Sequence, residues 1–271
     1  MPRQEKDNYS DEEELEKLRK DAENVFGIEF DEIVHSGSER NLLGIRSKNM
    51  LFSRRLDSLT YFIQDSRYEG REAEIFRGSD KVHFKRCRKI LKGLNISLAE
   101  IDQEVIIKEN TQVARVDYKT KEVHKEKVQE GKHIARVSRK VEDLSVWSSG
   151  IVLRLSRKRT IEYLQLHWPE LPKHVVNEAH HLAYKVKHKW EVPEQLGAGV
   201  ESIEAGIIHS PAMGFLMDMY PAIRVIYSPK AKQYGQKPVY YYDRHGKPIP
   251  IPRLADIPLV EQKQRTIEKR D

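Results

Sequence analysis

Apolar residues recur at helical spacing near the start of the chain. Ser10, with Glu13 three residues later, forms the capping-box pattern of a helix N-terminus, and Gly27 is a typical helix end. The pattern therefore predicts a first helix between these positions. The apolar residues on its inner face are Leu15, Leu18, Ala22, Val25 and Phe26.

Two later segments have the same apolar spacing, which predicts a second helix over residues 50–64 and a third over residues 80–93. Asp80 can cap the third helix, and Gly93 can end it. In this helix Cys87 is expected to face the core. The outer face would carry Lys81, Lys85, Arg88, Lys89 and Lys92.

From Glu104 the period changes to the alternation of apolar and polar residues that is typical of strands. Short β-branched runs, separated by polar turns, predict a central antiparallel β-meander. The runs of the meander cover residues 105–107, 112–118, 122–128 and 133–141, and a further alternating run covers residues 150–156.

Helical and alternating segments are mixed in the last part of the chain. The pattern predicts helices over residues 157–167 and 172–190, a buried Met-rich helix over 213–220, strands over 203–208 and 223–227, and a hairpin formed by 239–243 and 249–251.

These elements together predict an α+β fold with N-terminal helices, a central antiparallel β-meander and a C-terminal mixed helix/strand region. The predicted divisions are an acidic helical segment (1–32), basic helices with the meander (33–147), a helix/strand region with a histidine-rich helix (151–260) and a frayed tail (261–271). Ser148-Ser149-Gly150 is the most linker-like break in the sequence. A single intertwined domain is the alternative.

Composition narrows the class of protein. Of the 271 residues, 38% are hydrophobic, which is enough for a buried core. No apolar run is long enough to cross a bilayer, and the charged N-terminus does not resemble a secretory signal. Cys87 is the single cysteine, which excludes an internal disulfide and fits a reducing compartment. We therefore expect a soluble, intracellular protein in the cytoplasm. The sequence does not identify a cofactor.

Charge is unevenly distributed along the chain. Residues 1–32 hold twelve acidic and five basic side chains, whereas residues 44–93 hold thirteen basic and six acidic ones. The net charge of the whole protein is +6. Cations interleaved with aromatic residues suit a phosphate backbone with exposed bases, so nucleic acid, either DNA or RNA, is the predicted partner.

Two other interpretations of the basic segment remain open. Its cations could simply solvate the protein surface, or the acidic head could fold over them as an internal counter-charge. Arg157, Lys158 and Arg159 form a second dense basic run at the predicted start of a helix, where an anion would relieve their repulsion. The predicted phosphate-binding residues are Arg54, Arg55, Lys85, Arg86, Arg88, Lys89, Arg157, Lys158 and Arg159.

Histidines are concentrated on the predicted helix over residues 172–190. His174, Glu178 and His181 fall on one flank of this helix and are weak candidates for metal ligands. Lys185 lies on the same flank and would repel a cation. A polar helix flank is the competing interpretation.

A nuclease-like pattern is the weak candidate for catalysis. Asp102, followed by Asp117 and Lys119 at a strand end, matches two carboxylates that hold Mg²⁺ and a lysine that orients water. A solvated strand end is the competing interpretation. Whether the protein is an enzyme is therefore left open.

The first hypothesis for function is a nucleic-acid-associated accessory protein that binds the phosphate backbone with little base specificity. One alternative is a protein-interaction or assembly component whose acidic N-terminal helix docks on another copy of the chain or on a different protein. The other alternative is a metal-dependent hydrolase or nuclease. Charge reversal at Arg54, Arg55, Arg86 and Arg88 is expected to abolish nucleic-acid binding. Deletion of residues 1–32 distinguishes an assembly segment from an autoinhibitory one.

Overall fold

The structure is a computed structural model. It describes residues 8–30, 33–39, 42–55, 58–68, 76, 78–117, 119–125, 129–188, 200–210, 218–227, 239–249 and 264–268. Within these residues the chain is a mixed α+β structure made mostly of strands. Three α-helices are present in the described part: α1 (Asn8–Asn24), α2 (Asp80–Gly93) and α3 (Lys173–His188). None of them is long and apolar enough to cross a membrane.

Fourteen strands of the described part of the chain form one continuous sheet. They are β1 (Ile33–Glu39), β2 (Leu42–Ser47), β3 (Met50–Arg55), β4 (Thr60–Asp65), β5 (Ile101–Val116), β6 (Val123–Lys125), β7 (Gln129–Val141), β8 (Leu144–Leu155), β9 (Ile161–His167), β10 (Val200–Ser210), β11 (Asp218–Tyr227), β12 (Val239–Tyr242), β13 (Pro248–Ile249) and β14 (Gln264–Glu268).

The sheet forks at β8. Its C-terminal half pairs antiparallel with β9, which leads through β4, β3 and β2 to β1. Its N-terminal half pairs parallel with β10, which leads through β11 and β12 to β13. On its other side β8 pairs with β7, and β7 pairs with β5. The predicted meander is therefore part of a mixed sheet, because β10 and β14 join it in parallel.

The three helices lie on one face of this sheet. The inner residues of α1 and α2 share a core with alternate residues of β2, β3, β4, β7, β8 and β9. Val175, Ala179 and Leu182 of α3 pack on β8, β10, β11 and β12. Val146 of β8 is opposite Arg139 of β7, and Arg139 is two residues from Val137 in the α2 core. Strand alternation therefore puts α2 and α3 on the same face.

Two predicted helices are wrong. Residues 50–64 contain β3 and β4, in which Phe52, Tyr61 and Ile63 are buried with strand periodicity. Residues 157–167 contain a tight turn followed by β9, in which Leu164 and Leu166 face the core. In both segments the apolar spacing fits a helical period as well as a strand period. Their aromatic and β-branched residues favour the strand.

Other predicted elements agree with the structure. The first, third and histidine-rich helices correspond to α1, α2 and α3. The meander strands correspond to β5, β6, β7 and β8, although the first two predicted runs form a single long strand β5. The predicted hairpin is β12 with β13. Of the predicted Met-rich helix, residues 211–217 lie outside the described part of the chain, and β11 begins at Asp218.

The predicted boundaries of the chain divisions can be located on the sheet. Ser148, Ser149 and Gly150 lie inside β8, the strand shared by both branches. The C-terminal tail contains β14, which pairs in parallel with residues 110–114 of β5.

A histidine on the buried side of α2 makes the stability of the fold sensitive to acid. His83 is fully buried, its ring meets Phe76 edge-on, and neither ring nitrogen has a hydrogen-bond partner among the described residues. Burial, and then the nearby His133, lower the pKa of His83, while Asp80 opposes the shift. His83 therefore binds a proton less readily in the folded state than in the unfolded state. Its contribution to stability is fully present above the unfolded pKa of about 6.5 and is lost as the pH falls below that value.

We expect the free energy of unfolding to fall by up to about 1.4 kcal/mol per pH unit as the pH drops below about 6.5 because of this group. Urea unfolding at pH 7.5 and pH 5.5 measures the effect. The control is His83→Leu, which cannot titrate and should lose this part of the pH dependence. An identical pH dependence in the two proteins would show that His83 is not responsible.

Candidate nucleic-acid interface

The outer face of α2 is a row of cations. The exposed residues of this helix are Asp80 in its first turn, Gly93 at its end, and five cations between them. The five are Lys81, Lys85, Arg88, Lys89 and Lys92. We call Lys81, Lys85, Lys89 and Lys92 the lysine stripe. At a rise of 1.5 Å per residue the stripe is about 16 Å long.

Local sequence explains why the stripe is helical and points outward. The Ser79 side chain accepts a hydrogen bond from the Lys81 backbone N–H, which caps the helix. His83, Cys87, Ile90 and Leu91 are buried on the opposite side. Because four apolar or neutral side chains fix the rotation of the helix, the charged positions between them are left facing solvent.

The stripe has no acidic counterpart among the described residues. Arg88 is the member of the row that pairs, in a bidentate contact with Glu104 of β5. No ion pair to a described residue involves a lysine of the stripe. Four cations that have no counter-charge within the described ranges favour an anionic partner.

A second cationic group lies at the tip of the hairpin that joins β8 to β9. Arg157, Lys158 and Arg159 are all exposed there. Ser156 and Thr160 close the turn through their hydroxyl groups, 2.6 Å apart, and through a backbone hydrogen bond. No helix begins at this point, so the predicted repulsion at a helix N-terminus does not apply. The cations are instead presented on an exposed turn, in which Arg159 has a φ of 65°.

The hairpin tip and the first turn of α2 lie at the same end of the sheet. The Tyr68 hydroxyl is 3.3 Å from the Thr160 hydroxyl, and the Tyr68 carbonyl oxygen accepts a hydrogen bond from Lys132 Nζ. The next residue on β7, His133, has its Nδ1 3.7 Å from Asp80 at the start of α2. One polyanion could therefore contact both cationic groups.

Three of the arginines that were predicted to bind phosphate are not part of the exposed row of cations on α2. Arg54 Nη1 is 3.7 Å from Glu14 and 3.9 Å from Asp21, both on α1. Arg86 Nη2 donates to the Phe26 carbonyl oxygen just after α1. Arg55 is half-buried at the end of β3. Arg54 and Arg86 thus hold α1 in place. Of the two, Arg54 meets acidic side chains of α1, which is the kind of contact that the counter-charge interpretation expects.

The acidic helix is also held by a tyrosine. Tyr61 on β4 donates a hydrogen bond of 2.6 Å to the Asp21 carboxylate. Burial, and then this bond to Asp21, raise the pKa of Tyr61, so it keeps its proton at neutral pH. The acid–arginine–tyrosine contacts explain the position of α1 without any partner molecule.

The histidine-rich helix does not assemble a metal centre in the described part of the chain. His174, Glu178 and His181 are exposed on α3. Glu178 lies 3.9 Å from Arg244. On α3 the histidine that contacts a carboxylate is His180, and its partner is Glu142 in the β7–β8 turn.

The nuclease-like residues are not brought together. Asp102 is at the start of β5, and Asp117 follows its end. At about 3.3 Å per residue, roughly 50 Å of extended chain separates them. The Asp117 carboxylate accepts hydrogen bonds from the backbone N–H groups of Lys119 and Thr120, which lower its pKa. Asp117, which the nuclease-like pattern assigns as a metal ligand, therefore stabilises a turn through these backbone hydrogen bonds.

Cys87 is a core thiol. It is fully buried in α2, and burial raises the pKa of its thiol to about 12. A thiol that keeps its proton at neutral pH is a poor nucleophile.

Comparison with known proteins does not assign this chain to a family. No protein-family model matches the chain, and curated proteins gave no significant match. A solved structure that does match is an uncharacterized protein from Eubacterium rectale, 12% identical to this chain. The match covers 89% of this chain and 82% of that one, with a TM-score of 0.46. We transfer no function from it.

Proposed function

We propose that this protein binds a nucleic-acid backbone through the lysine stripe of α2, with the β8–β9 hairpin tip as a second contact. The observation that carries the proposal is that the stripe lacks ion-pair partners in the described part of the chain. Lysines four residues apart on a helix rise by about 6 Å, which is comparable to the separation of successive phosphates along an extended strand. Such contacts give strong salt dependence and little base preference.

The contacts made by Arg54 and Arg86 make these two arginines unsuitable for a charge-reversal test of nucleic-acid binding. Reversal of Arg54 or Arg86 would remove contacts that hold α1, so a loss of binding in those variants could reflect a change in the fold. Lys85 and Lys89 are exposed in the middle of the stripe and can be reversed without removing any described contact.

We expect Lys85→Glu combined with Lys89→Glu to weaken binding of a labelled single-stranded oligonucleotide by at least roughly 10-fold at low salt. The slope of log K against log salt should also become shallower by about 1 for each lost phosphate contact. Fluorescence anisotropy measures both quantities.

The matched control reverses Lys185 and Lys187, two exposed lysines near the end of α3, and changes the net charge by the same amount. It should bind nearly as well as the unmodified protein. If both double variants lost affinity equally, net charge would explain binding and the stripe would not be the interface.

The assembly alternative has less support. Glu14 and Asp21 of α1 face Arg54 of the same chain. Both carboxylates therefore already have a cationic neighbour within the chain.

A further inference from the structure

A two-stranded ribbon, residues 114–125, extends from one end of the sheet. The last three residues of β5, 114–116, pair antiparallel with the three residues of β6, 123–125. β6 pairs with β5 and with no other described strand. All three residues of β6 are exposed, and Val123 is 54% exposed. The ribbon therefore adds little to the core, and its exposed side chains can contact another molecule.

The turn at the tip of the ribbon is held in one shape by its own hydrogen bonds. The Asp117 carboxylate accepts hydrogen bonds of 2.8 and 3.2 Å from the backbone N–H groups of Lys119 and Thr120. The Asp117 N–H donates to the Glu122 carbonyl oxygen, and the Lys121 N–H donates to the Asp117 carbonyl oxygen. Because the turn is already ordered, a partner that binds it loses little affinity to ordering the chain.

The charge of the ribbon favours an anionic partner. Residues 114–125 hold four basic and two acidic side chains. Lys119, Lys121 and Lys125 are exposed, and none of them forms an ion pair with another residue in the ranges that the structure describes. Of the two acids, Asp117 accepts the hydrogen bonds of the turn. The other lies beside a histidine of β6. Three lysines are thus available to an anion.

The ribbon leaves the sheet at the same end as the β8–β9 hairpin tip. β5 and β8 both run antiparallel to β7, so they point the same way. Ile134 of β7 is opposite Ile107 of β5 and Arg154 of β8. From this row β8 reaches Arg157 in three residues, whereas β5 continues for nine residues, about 30 Å, to Val116. An elongated polyanion bound at the hairpin tip can therefore also contact the ribbon.

The dimensions of the ribbon indicate which nucleic acid it fits. Two paired strands lie about 4.8 Å apart, and with their side chains they suit the major groove of B-form DNA, which is about 12 Å wide. Residues 114–117 rise by about 10 Å, which is close to the groove depth of about 8.5 Å. The minor groove, at about 6 Å, is too narrow. Side chains cannot enter the deep, narrow major groove of A-form RNA, and a single strand has no groove.

We propose that the ribbon inserts into the major groove of double-stranded DNA. Lys119, Lys121 and Lys125 then contact the phosphates that border the groove. This inference rests on the proposed function, because the lysine stripe and the hairpin tip supply the other backbone contacts. It adds a preference for duplex DNA over single strands and over duplex RNA. The stripe alone does not give that preference, since lysines on an exposed helix contact any phosphate backbone.

Fluorescence anisotropy on the full chain tests the ribbon with a labelled DNA duplex, one of its single strands and the RNA duplex of the same sequence. We expect the DNA duplex to bind most tightly. Lys119→Glu combined with Lys125→Glu should weaken duplex DNA binding by at least roughly 10-fold at low salt and change single-strand binding by less than about 2-fold. Unchanged single-strand binding also shows that this variant is folded.

The matched variants change the net charge by the same amount at other positions. Reversal of Lys85 and Lys89 in the stripe should weaken binding of the duplex and of the single strand. Reversal of Lys185 and Lys187 on α3 should leave both nearly unchanged.

Competition with groove-binding dyes and drugs identifies the groove. Methyl green, which binds in the major groove, should displace the protein from duplex DNA, whereas netropsin, which binds in the minor groove, should not. Displacement by netropsin alone, equal affinity for the DNA duplex and the single strand, or unchanged duplex binding after reversal of Lys119 and Lys125 would overturn the ribbon inference and leave the stripe proposal standing. Absence of binding to all three nucleic acids would overturn both.

Discussion

Replacement of Arg139 by methionine is expected to lower the free energy of unfolding by about 3 kcal/mol, because it breaks a buried ion pair. Arg139 is 6% exposed, and its Nε donates a 2.8 Å hydrogen bond to Glu100. Its Nη1 donates a 2.6 Å hydrogen bond to the Pro169 carbonyl oxygen. The guanidinium also stacks over Trp168 at 5.2 Å, and Trp168 Nε1 donates to the same Glu100 oxygen. The arginine therefore connects β7, the turn before β5 and the segment after β9.

Urea denaturation at pH 7 measures this loss, with Arg157→Met as the control. Arg157 is exposed at the hairpin tip, so its replacement should change stability by less than about 0.5 kcal/mol. Adding Glu100→Gln to Arg139→Met removes the unpaired charge and should recover part of the loss. Equal stability of Arg139→Met and the unmodified protein would show that the ion pair contributes little to the fold.

Truncation of Phe26, just after α1, is expected to cost about 3–5 kcal/mol in Phe26→Ala. The ring is fully buried, with centroids 5.4 Å from Phe52 and 5.0 Å from Tyr61. Leu18 and Ala22 of α1 are also fully buried. Deletion of residues 1–32 would remove Leu18, Ala22 and Phe26 from the core. We expect the shortened chain to lose cooperative unfolding.

The control for Phe26→Ala is Lys17→Ala on the exposed side of α1, which should be nearly neutral. Urea denaturation followed by circular dichroism compares the two. A deletion variant that kept a cooperative transition would mean that α1 is a detachable segment, and the assembly hypothesis would then regain support.

The sequence predicted an element well where several local signals agreed. For α2, the cap at Ser79, the apolar stripe and the terminal glycine all indicate a helix. The apolar stripe also fixes which side of the helix faces the core, and so it places the lysines on the outside. The same helical phase identifies Lys81 and Lys92 as members of the stripe, although they were not among the predicted phosphate-binding residues. Helical phase also shows Arg86 turning toward α1.

Residues 50–64 were predicted wrongly because period alone was used. Phe52, Leu59 and Phe62 fit a helical face as well as two short strands. The run from Leu59 to Ile63 is rich in aromatic and β-branched residues, and the Asp57-Ser58 pair is a turn signal. Pairing with β2 and β9 settles the outcome, and this pairing is a long-range property.

A cleft lined by residues of β5, β7, β8, β10, β11 and β12 could not have been predicted from local sequence. Its lining extends from Asp102 on β5 to Tyr241 on β12 and includes Trp147 and Arg224 from strands between them. These residues meet because β8 pairs with β7 on one side and with β10 on the other. That parallel pairing has no signature in the residues near Ser145.

The central claim is that the lysine stripe binds a phosphate backbone, and the salt dependence of binding tests it most directly. The measurement is the affinity of the full chain for a labelled single-stranded oligonucleotide between about 50 and 200 mM salt. Four stripe contacts predict a slope of log K against log salt of about −3, and a steeper slope if the hairpin tip also binds. No binding at the lowest salt, or an affinity that does not change with salt, would contradict the claim.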